Sequence, residues 1–219
     1  MRVMVIVNHI SKKRGGKQVL SDISMKAAPG ECVGIIGRNG CGKSTFLSIL
    51  TGIMKADSGE ITFFGRNPMK EKGLFSQMCG YVPQKDPLIE DLTVRDNLRI
   101  WCRGKGWQEH AFLQRFELAD ILDKRVSKLS GGMKRRVSIA AAAADLEPIL
   151  VMDEPCSSLD YYQKEKVYGL IRDFTARKGT VFLCTHDRRE MELCSRLYLI
   201  EDGTSRETGA QVMEGNYYG

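Results

Sequence analysis

A chain of 219 residues with 42% hydrophobic and 27% charged side chains has the balance of an ordinary globular protein and enough length for one sizeable core. Its net charge of +6 comes without a continuous basic stripe or stacking aromatics, which speaks against a nucleic-acid partner. The 7 cysteines form no C-x-x-C pair, so a reducing cytoplasm fits better than a disulfide framework or a zinc site, and no apolar run approaches the roughly 20 residues of a membrane helix.

Met1–Val7 alternates in character and lacks the basic lead and cleavage site of a signal peptide, so Val3–Val7 reads as a first strand. Gly15-Gly16 and Pro29-Gly30 mark turns on either side of Val19-Leu20. Glu31–Ile36 predicts a strand running straight into glycines, and Thr45–Leu50 predicts a helix that Gly52 can end. Ile61–Phe64, between Gly59 and Gly65, reads as another strand.

From Leu88 to Glu147 there is no proline, and apolar residues recur at helical spacing, as in Phe112, Phe116 and Leu118 to Leu122. Thr93 with Asp96 three residues later predicts a helix start, so this middle third is expected to be a helical insert. The final third alternates again. Ile149–Met152 suits a strand buried on both faces, and Tyr161–Arg177 sets Val167, Leu170, Ile171 and Phe174 on one helical face. Val181–Cys184 is a second buried strand, and Leu197–Ile200 leads into a turn at Asp202-Gly203. The alternation predicts an α/β fold with a mainly parallel sheet.

Gly37-Arg38-Asn39-Gly40-Cys41-Gly42-Lys43-Ser44 fits the phosphate-loop template between a strand and a helix. Its glycines allow backbone N–H groups to curl around phosphate oxygens, and the helix N-terminus adds its positive end. Lys43 is expected to reach the β- and γ-phosphates and Ser44 to ligate Mg²⁺. The Cys41 thiol, beside Lys43 at that helix start, is expected to be reactive and protected by bound nucleotide; a residue merely filling space is the equal alternative.

Asp153 and Glu154 end the run Ile149-Leu150-Val151-Met152, and in open parallel sheets ligands sit beyond the carboxyl ends of the strands. Asp153 is read as a Mg²⁺ ligand and Glu154 as the general base on an attacking water. His186 follows Val181 to Thr185 and is placed at the same edge, where it can contact the γ-phosphate; His9 and His110 carry no expected chemistry. Gln84 in Tyr81-Val82-Pro83-Gln84 is unremarkable alone. Ser130-Gly131-Gly132 before the helix-forming stretch Lys134 to Ala144 makes a second anion site. One chain has no second triphosphate to place there, so the site makes sense closing over a partner's nucleotide. The cluster Lys134-Arg135-Arg136 reads as solvated surface.

The order of phosphate loop (Gly37–Thr45), Gln84, Leu129–Met133, Asp153-Glu154, Ser157-Ser158-Leu159-Asp160 and His186 resembles the ATP-binding subunits of ABC transporters over nearly the whole chain. The resemblance implies a phosphate-loop nucleoside triphosphatase core of the RecA-like kind, an N-terminal antiparallel β subdomain and a helical insert. It implies one domain over 1–219, with 1–83 and 147–219 as catalytic core and 84–146 as the helical subdomain. ATP and Mg²⁺ are the implied cofactors, with Gln84 as a further Mg²⁺ sensor and ligand, and Lys43, Glu154 and His186 as the catalytic set. A homodimer or heterodimer stacks head to tail, Asp160 runs along its interface, and a transmembrane permease subunit holds the assembly at the inner face of the membrane.

The family's adenine-stacking aromatic is replaced by Arg14, whose guanidinium plane can stack on a base or leave the nucleotide less specified. Met133 with its basic tail resembles exporter-type subunits. The competing classes are soluble ABC proteins, which carry two such domains or a long coiled-coil insertion, and kinases using the same loop. Neither device is present between Gly37 and Met133, and Glu154 with Leu129–Met133 disfavours a kinase.

Overall fold

The computed structural model describes residues 5–144, 148–157 and 159–208. Its first strands are longer than the sequence suggests. β1 (Val5–Arg14) and β2 (Lys17–Ala27) form one antiparallel hairpin across Gly15-Gly16. Val5, Val7, Ile10, Leu20 and Ile23 all point inward, and bulges between Val7 and Lys13 let β1 keep that face after the alternation slips. Val3 and Met4 of the expected opening strand lie outside the described residues.

β3 (Cys32–Ile36) is buried throughout and runs through the glycine loop into α1 (Lys43–Leu50). Gly52, at φ 76°, follows the last turn as expected. β4 (Ser58–Phe63) returns to pair antiparallel with β1. α2 (Leu74–Met78) and β5 (Cys79–Val82) follow, and β5 is parallel to β6 (Ile149–Asp153).

The middle third is helical only in short pieces. α3 (Val94–Trp101) starts where expected: the Thr93 hydroxyl accepts the Asp96 N–H at 3.1 Å. It ends at extended Cys102, before Gly104 and Gly106, and α4 (His110–Arg115) stops near Glu117, held at φ 49°. Only α5 (Gly131–Ala142) runs for 12 residues there. The last third is α6 (Tyr161–Ala176), β7 (Thr180–Cys184), α7 (Arg188–Glu192), β8 (Arg196–Glu201) and β9 (Thr204–Thr208).

These strands make one sheet in the order β4-β1-β2-β9-β8-β3-β7-β6-β5. The stretch β8-β3-β7-β6-β5 is parallel, and the antiparallel β1, β2 and β4 join it through β9. That junction is narrow. β2 meets β9 at Asp22–Thr204, and Ser21 and Asp22 donate N–H groups to the Gly203 carbonyl at 2.6 and 3.1 Å.

Strand periodicity divides the core between the two faces of the sheet. Ile149, Val151, Phe182 and Cys184 pack with Phe46, Leu47 and Leu50 of α1 and with the hairpin. Leu150, Met152, Val181 and Leu183 pack with Val167 and Ile171 of α6 and with Trp107, Phe116, Leu118 and Val137 of the insert. Phe46 and Phe182 are fully buried, which at about 2 kcal/mol each makes both faces costly to expose. Among the described residues, no helix is long and apolar enough to cross a membrane.

Candidate functional site

β3 delivers the chain to the sheet edge, and the loop that follows has no room for side chains at its ends. A Cβ on Gly37 would collide with the Ile200 carbonyl oxygen, and Gly42 sits at φ 108° as the N-cap of α1. With no side chain capping it, the first amides of α1 remain available to an anion. Lys43 is buried, and its Nζ donates to the carbonyls of Gly37 and Arg38 at 2.7 and 3.0 Å. The Cys41 side chain turns inward, half-buried against the core on the α1 side.

A cavity of about 820 Å³ opens over this loop, within the size range of small-molecule sites. Gly37, Arg38, Asn39, Gly40, Gly42, Lys43, Ser44 and Thr45 form its floor. Arg14 and Val19 from the hairpin, Gln84 after β5, Glu154 after β6 and His186 after β7 complete its wall. The parallel core thus brings the phosphate loop after β3, Gln84 after β5, Glu154 after β6 and His186 after β7 to one edge, and Arg14 joins them from the hairpin.

Glu154 turns the chain sharply at the end of β6, with φ at 45° and its N–H donating to the Cys184 carbonyl at 3.0 Å. Its carboxylate accepts one side-chain hydrogen bond and has an imidazole beside it. Gln84 Nε2 donates to Oε2 at 2.9 Å, and His186 Nδ1 stands 3.5 Å from Oε1. Asp153, only 4% exposed, lies behind it. Burial, then the neighbouring Asp153 charge, push the Cys184 thiol up and the Tyr81 hydroxyl up to about 12. Both neighbours therefore stay neutral around Asp153.

Ser130, Gly131, Gly132 and Asp160 do not line this cavity. Ser130 caps α5 by accepting the Met133 N–H at 3.3 Å, which leaves its own O–H as a donor. A Cβ on Gly131 would meet nothing, whereas one on Gly132 would press the Gln163 side chain at 2.5 Å. Gln163 donates its N–H to Asp160 Oδ1 at 2.9 Å, so the glycine pair and the Asp160 cap abut. Ser158 lies outside the described residues.

The basic cluster is a correction, because none of its three side chains is simply solvated. Lys134 pairs with Glu90 at 2.6 Å, and Arg136 shares Glu117 with Lys166. Arg135 is 3% exposed, which charge counting along the sequence misses. Helical spacing carries a signal for it, since Arg135 stands four residues before Ile139 on the face that packs inward.

Ser44, Gln84 and Asp153 offer a hydroxyl, an amide oxygen and a carboxylate, hard donors of the kind Mg²⁺ prefers. Among the described residues, no group of three His, Cys, Asp or Glu is placed to hold a metal ion. The set therefore fits a cation shared with ligand phosphates and water rather than one caged by protein alone.

The ABC transporter family model matches residues 20–157. The chain is 38% identical over 208 residues to the Nod factor export ATP-binding protein I of Rhizobium etli, covering 91% of this chain and 66% of that relative. It is 38% identical over 212 residues to the protein of the same name from Burkholderia pseudomallei, covering 93% of this chain and 70% of that one. The chain thus spans about two thirds of the length of these relatives. Among solved structures, an ATP-binding subunit of an ABC transporter superposes with TM-score 0.85 at 24% identity, covering 96% of this chain and 91% of its own. The dimeric, post-hydrolysis ATP-binding cassette MJ0796 bound to ADP and Pi superposes with TM-score 0.82 at 28% identity, covering 94% and 98%. On the extent of the family match and the identity of these relatives, the chain belongs to the ABC transporter family.

Proposed function

We propose that the chain is an ATP-binding and ATP-hydrolysing subunit that powers export through a separate transmembrane permease subunit. The observation that carries this reading is the placement of Glu154. A carboxylate hydrogen-bonded by Gln84, with His186 beside it, faces the cavity over a phosphate loop, where a water attacking a γ-phosphate needs its base.

In this reading Lys43 exchanges its two loop carbonyls for β- and γ-phosphate oxygens, and the backbone of Gly37 to Thr45 cradles the rest. Ser44, Asp153 and Gln84 would hold Mg²⁺, which supplies positive charge to the phosphate oxygens when bound. Glu154 accepts the water's proton, and His186, beside that carboxylate, contacts the γ-phosphate and orients the water. Arg14 and Val19 stand where a base emerging from the cavity is flanked, with the guanidinium plane in place of an aromatic ring.

Two chains arranged head to tail, as a homodimer or a heterodimer, give Ser130 to Gly132 a ligand. The separation of these residues from the chain's own cavity supports a γ-phosphate supplied by the partner. Asp160, abutting Gly132 through Gln163, then lies along the joint. The dimeric cassette among the structural relatives supports the same assembly, and the export named in the sequence relatives supports the direction. Placement at the inner face of the membrane would come through the permease, without insertion of this chain and without a nucleic-acid partner. The one-domain division at 83–84 and 146–147 belongs to the same proposal; residues 146 and 147 lie outside the described residues.

Glu154→Gln keeps the side chain's shape and removes the base. Hydrolysis should fall by about 10²–10⁴-fold with ATP binding retained, and dimers should accumulate in ATP. Wild-type phosphate release from that variant would remove the reading.

A further inference from the structure

Every N–H of Arg135 has an acceptor. Nε donates to the Pro155 carbonyl at 2.7 Å, and one terminal nitrogen donates to the Pro83 carbonyl at 2.6 Å and to Asp86 Oδ1 at 2.9 Å. The other donates to the carbonyls of Gln84 and Glu154 at 3.0 and 3.1 Å. A buried cation needs a counter-charge, and Asp86 supplies it. Neutralisation alone does not require the other four acceptors, which are the backbone oxygens of Gln84, Glu154 and one neighbour of each.

The same helix carries Ser130 and the two glycines at its N-terminus, about 5–7 Å along the axis from Arg135. We propose that Arg135 is a positioning residue that couples the two nucleotide sites of the dimer. Closure of Ser130 to Gly132 on the partner's nucleotide moves α5, and the guanidinium fork transmits that movement to the backbone holding this chain's own Gln84 and Glu154. The proposal rests on the function proposed above.

The fork's geometry makes the claim specific. Its five donors are fixed in one plane and reach two separate segments, 83–86 and 154–155, so neither segment can shift without the helix. A lysine keeps the charge but is a point donor that cannot span both segments. By symmetry, each nucleotide is read by one chain's α5 and reported to the site on that chain's phosphate loop.

The test uses the full chain with ATP and Mg²⁺, measuring ATP affinity, kcat and the Hill coefficient of hydrolysis for wild type, Arg135→Lys, Asp86→Asn and Glu154→Gln. Wild type should hydrolyse cooperatively. Arg135→Lys should keep ATP affinity within about 3-fold, lose about 10-fold or more in kcat, and fall to a Hill coefficient near 1. Asp86→Asn, a near-isosteric change at a partly exposed position, should show the same trend at about 3-fold in kcat and gives a reading even if Arg135→Lys does not fold. Non-cooperative wild-type hydrolysis, unchanged kcat and cooperativity in the folded variants, or a kcat loss with cooperativity intact would each overturn the coupling. Normal hydrolysis by Glu154→Gln would instead overturn the functional reading beneath it.

Discussion

Gln84 and Glu154 are 70 residues apart in the chain, and the amide of one donates to the carboxylate of the other at 2.9 Å. The amide fixes where the Glu154 oxygens point, and it does so from a segment that Arg135 also grips. Gln84→Ala frees the carboxylate to rotate while leaving the phosphate loop intact. Steady-state phosphate release should fall by about 10- to 100-fold, with nucleotide affinity measured without Mg²⁺ changed by less than about 3-fold. A matching loss in affinity would place Gln84 in binding rather than in orientation.

Lys43 is already aimed at its task, held by two loop carbonyls in a site with 8% exposure. Lys43→Ala removes both the loop's internal clamp and the cation that anionic phosphates would meet. ATP affinity, titrated with a fluorescent ATP analogue, should weaken by about 10-fold or more. Retained affinity would mean that the backbone amides carry the phosphates by themselves.

Two glycines outside the loop should respond in opposite directions to alanine. A Cβ on Gly80 in β5 would enter the Ala142 carbonyl oxygen at the end of α5, backbone against backbone, so strand or helix must move. Gly80→Ala should destabilise by about 3 kcal/mol or more in urea unfolding. Gly169 lies on the exposed side of α6 with nothing near its Cβ position. Gly169→Ala should stabilise by about 0.5–1 kcal/mol, and the absence of that contrast would contradict the packing described for β5 and α5.

Glu190 introduces a pH dependence distinct from hydrolysis. Burial pushes its carboxyl above the usual glutamate value, opposed in part by hydrogen bonds from Cys156 and Thr185. A folded-state value raised above the unfolded one stabilises the protein fully below about pH 4.5, and that stability drains away as pH rises through the folded value. Glu190→Gln cannot ionise. Its thermal midpoint relative to wild type should therefore climb between pH 4.5 and 8, and a constant difference across that range would contradict the burial argument.

The strands of the parallel core were legible because Ile149–Met152 and Val181–Cys184 are continuous apolar runs ending in polar residues at one edge. The phosphate loop was legible because its chemistry is local: eight consecutive residues make it. β9 was not, since Thr204–Thr208 is mostly exposed and becomes a strand only by pairing with β8. The broken middle third defeated periodicity, as a bend at Gly104, a single 3-10 turn over Gly106–Gln108 and the left-handed turn at Glu117 interrupt a pattern that the apolar spacing continues. Arg135 escaped for a different reason. Its acceptors lie 19 to 52 residues away, four of them are carbonyls that every residue possesses, and only the fold selects which ones converge.

The left-handed turn at Glu154 carries a last consequence. A side chain other than glycine at φ 45° is strained by about 1–2 kcal/mol, with asparagine among the better tolerated exceptions. The fold therefore accepts a local penalty at the residue on which the reaction depends. Screened for heat resistance alone, a library at position 154 should enrich glycine and asparagine. Ranked by turnover, the same library should put glutamate first and those two near the bottom.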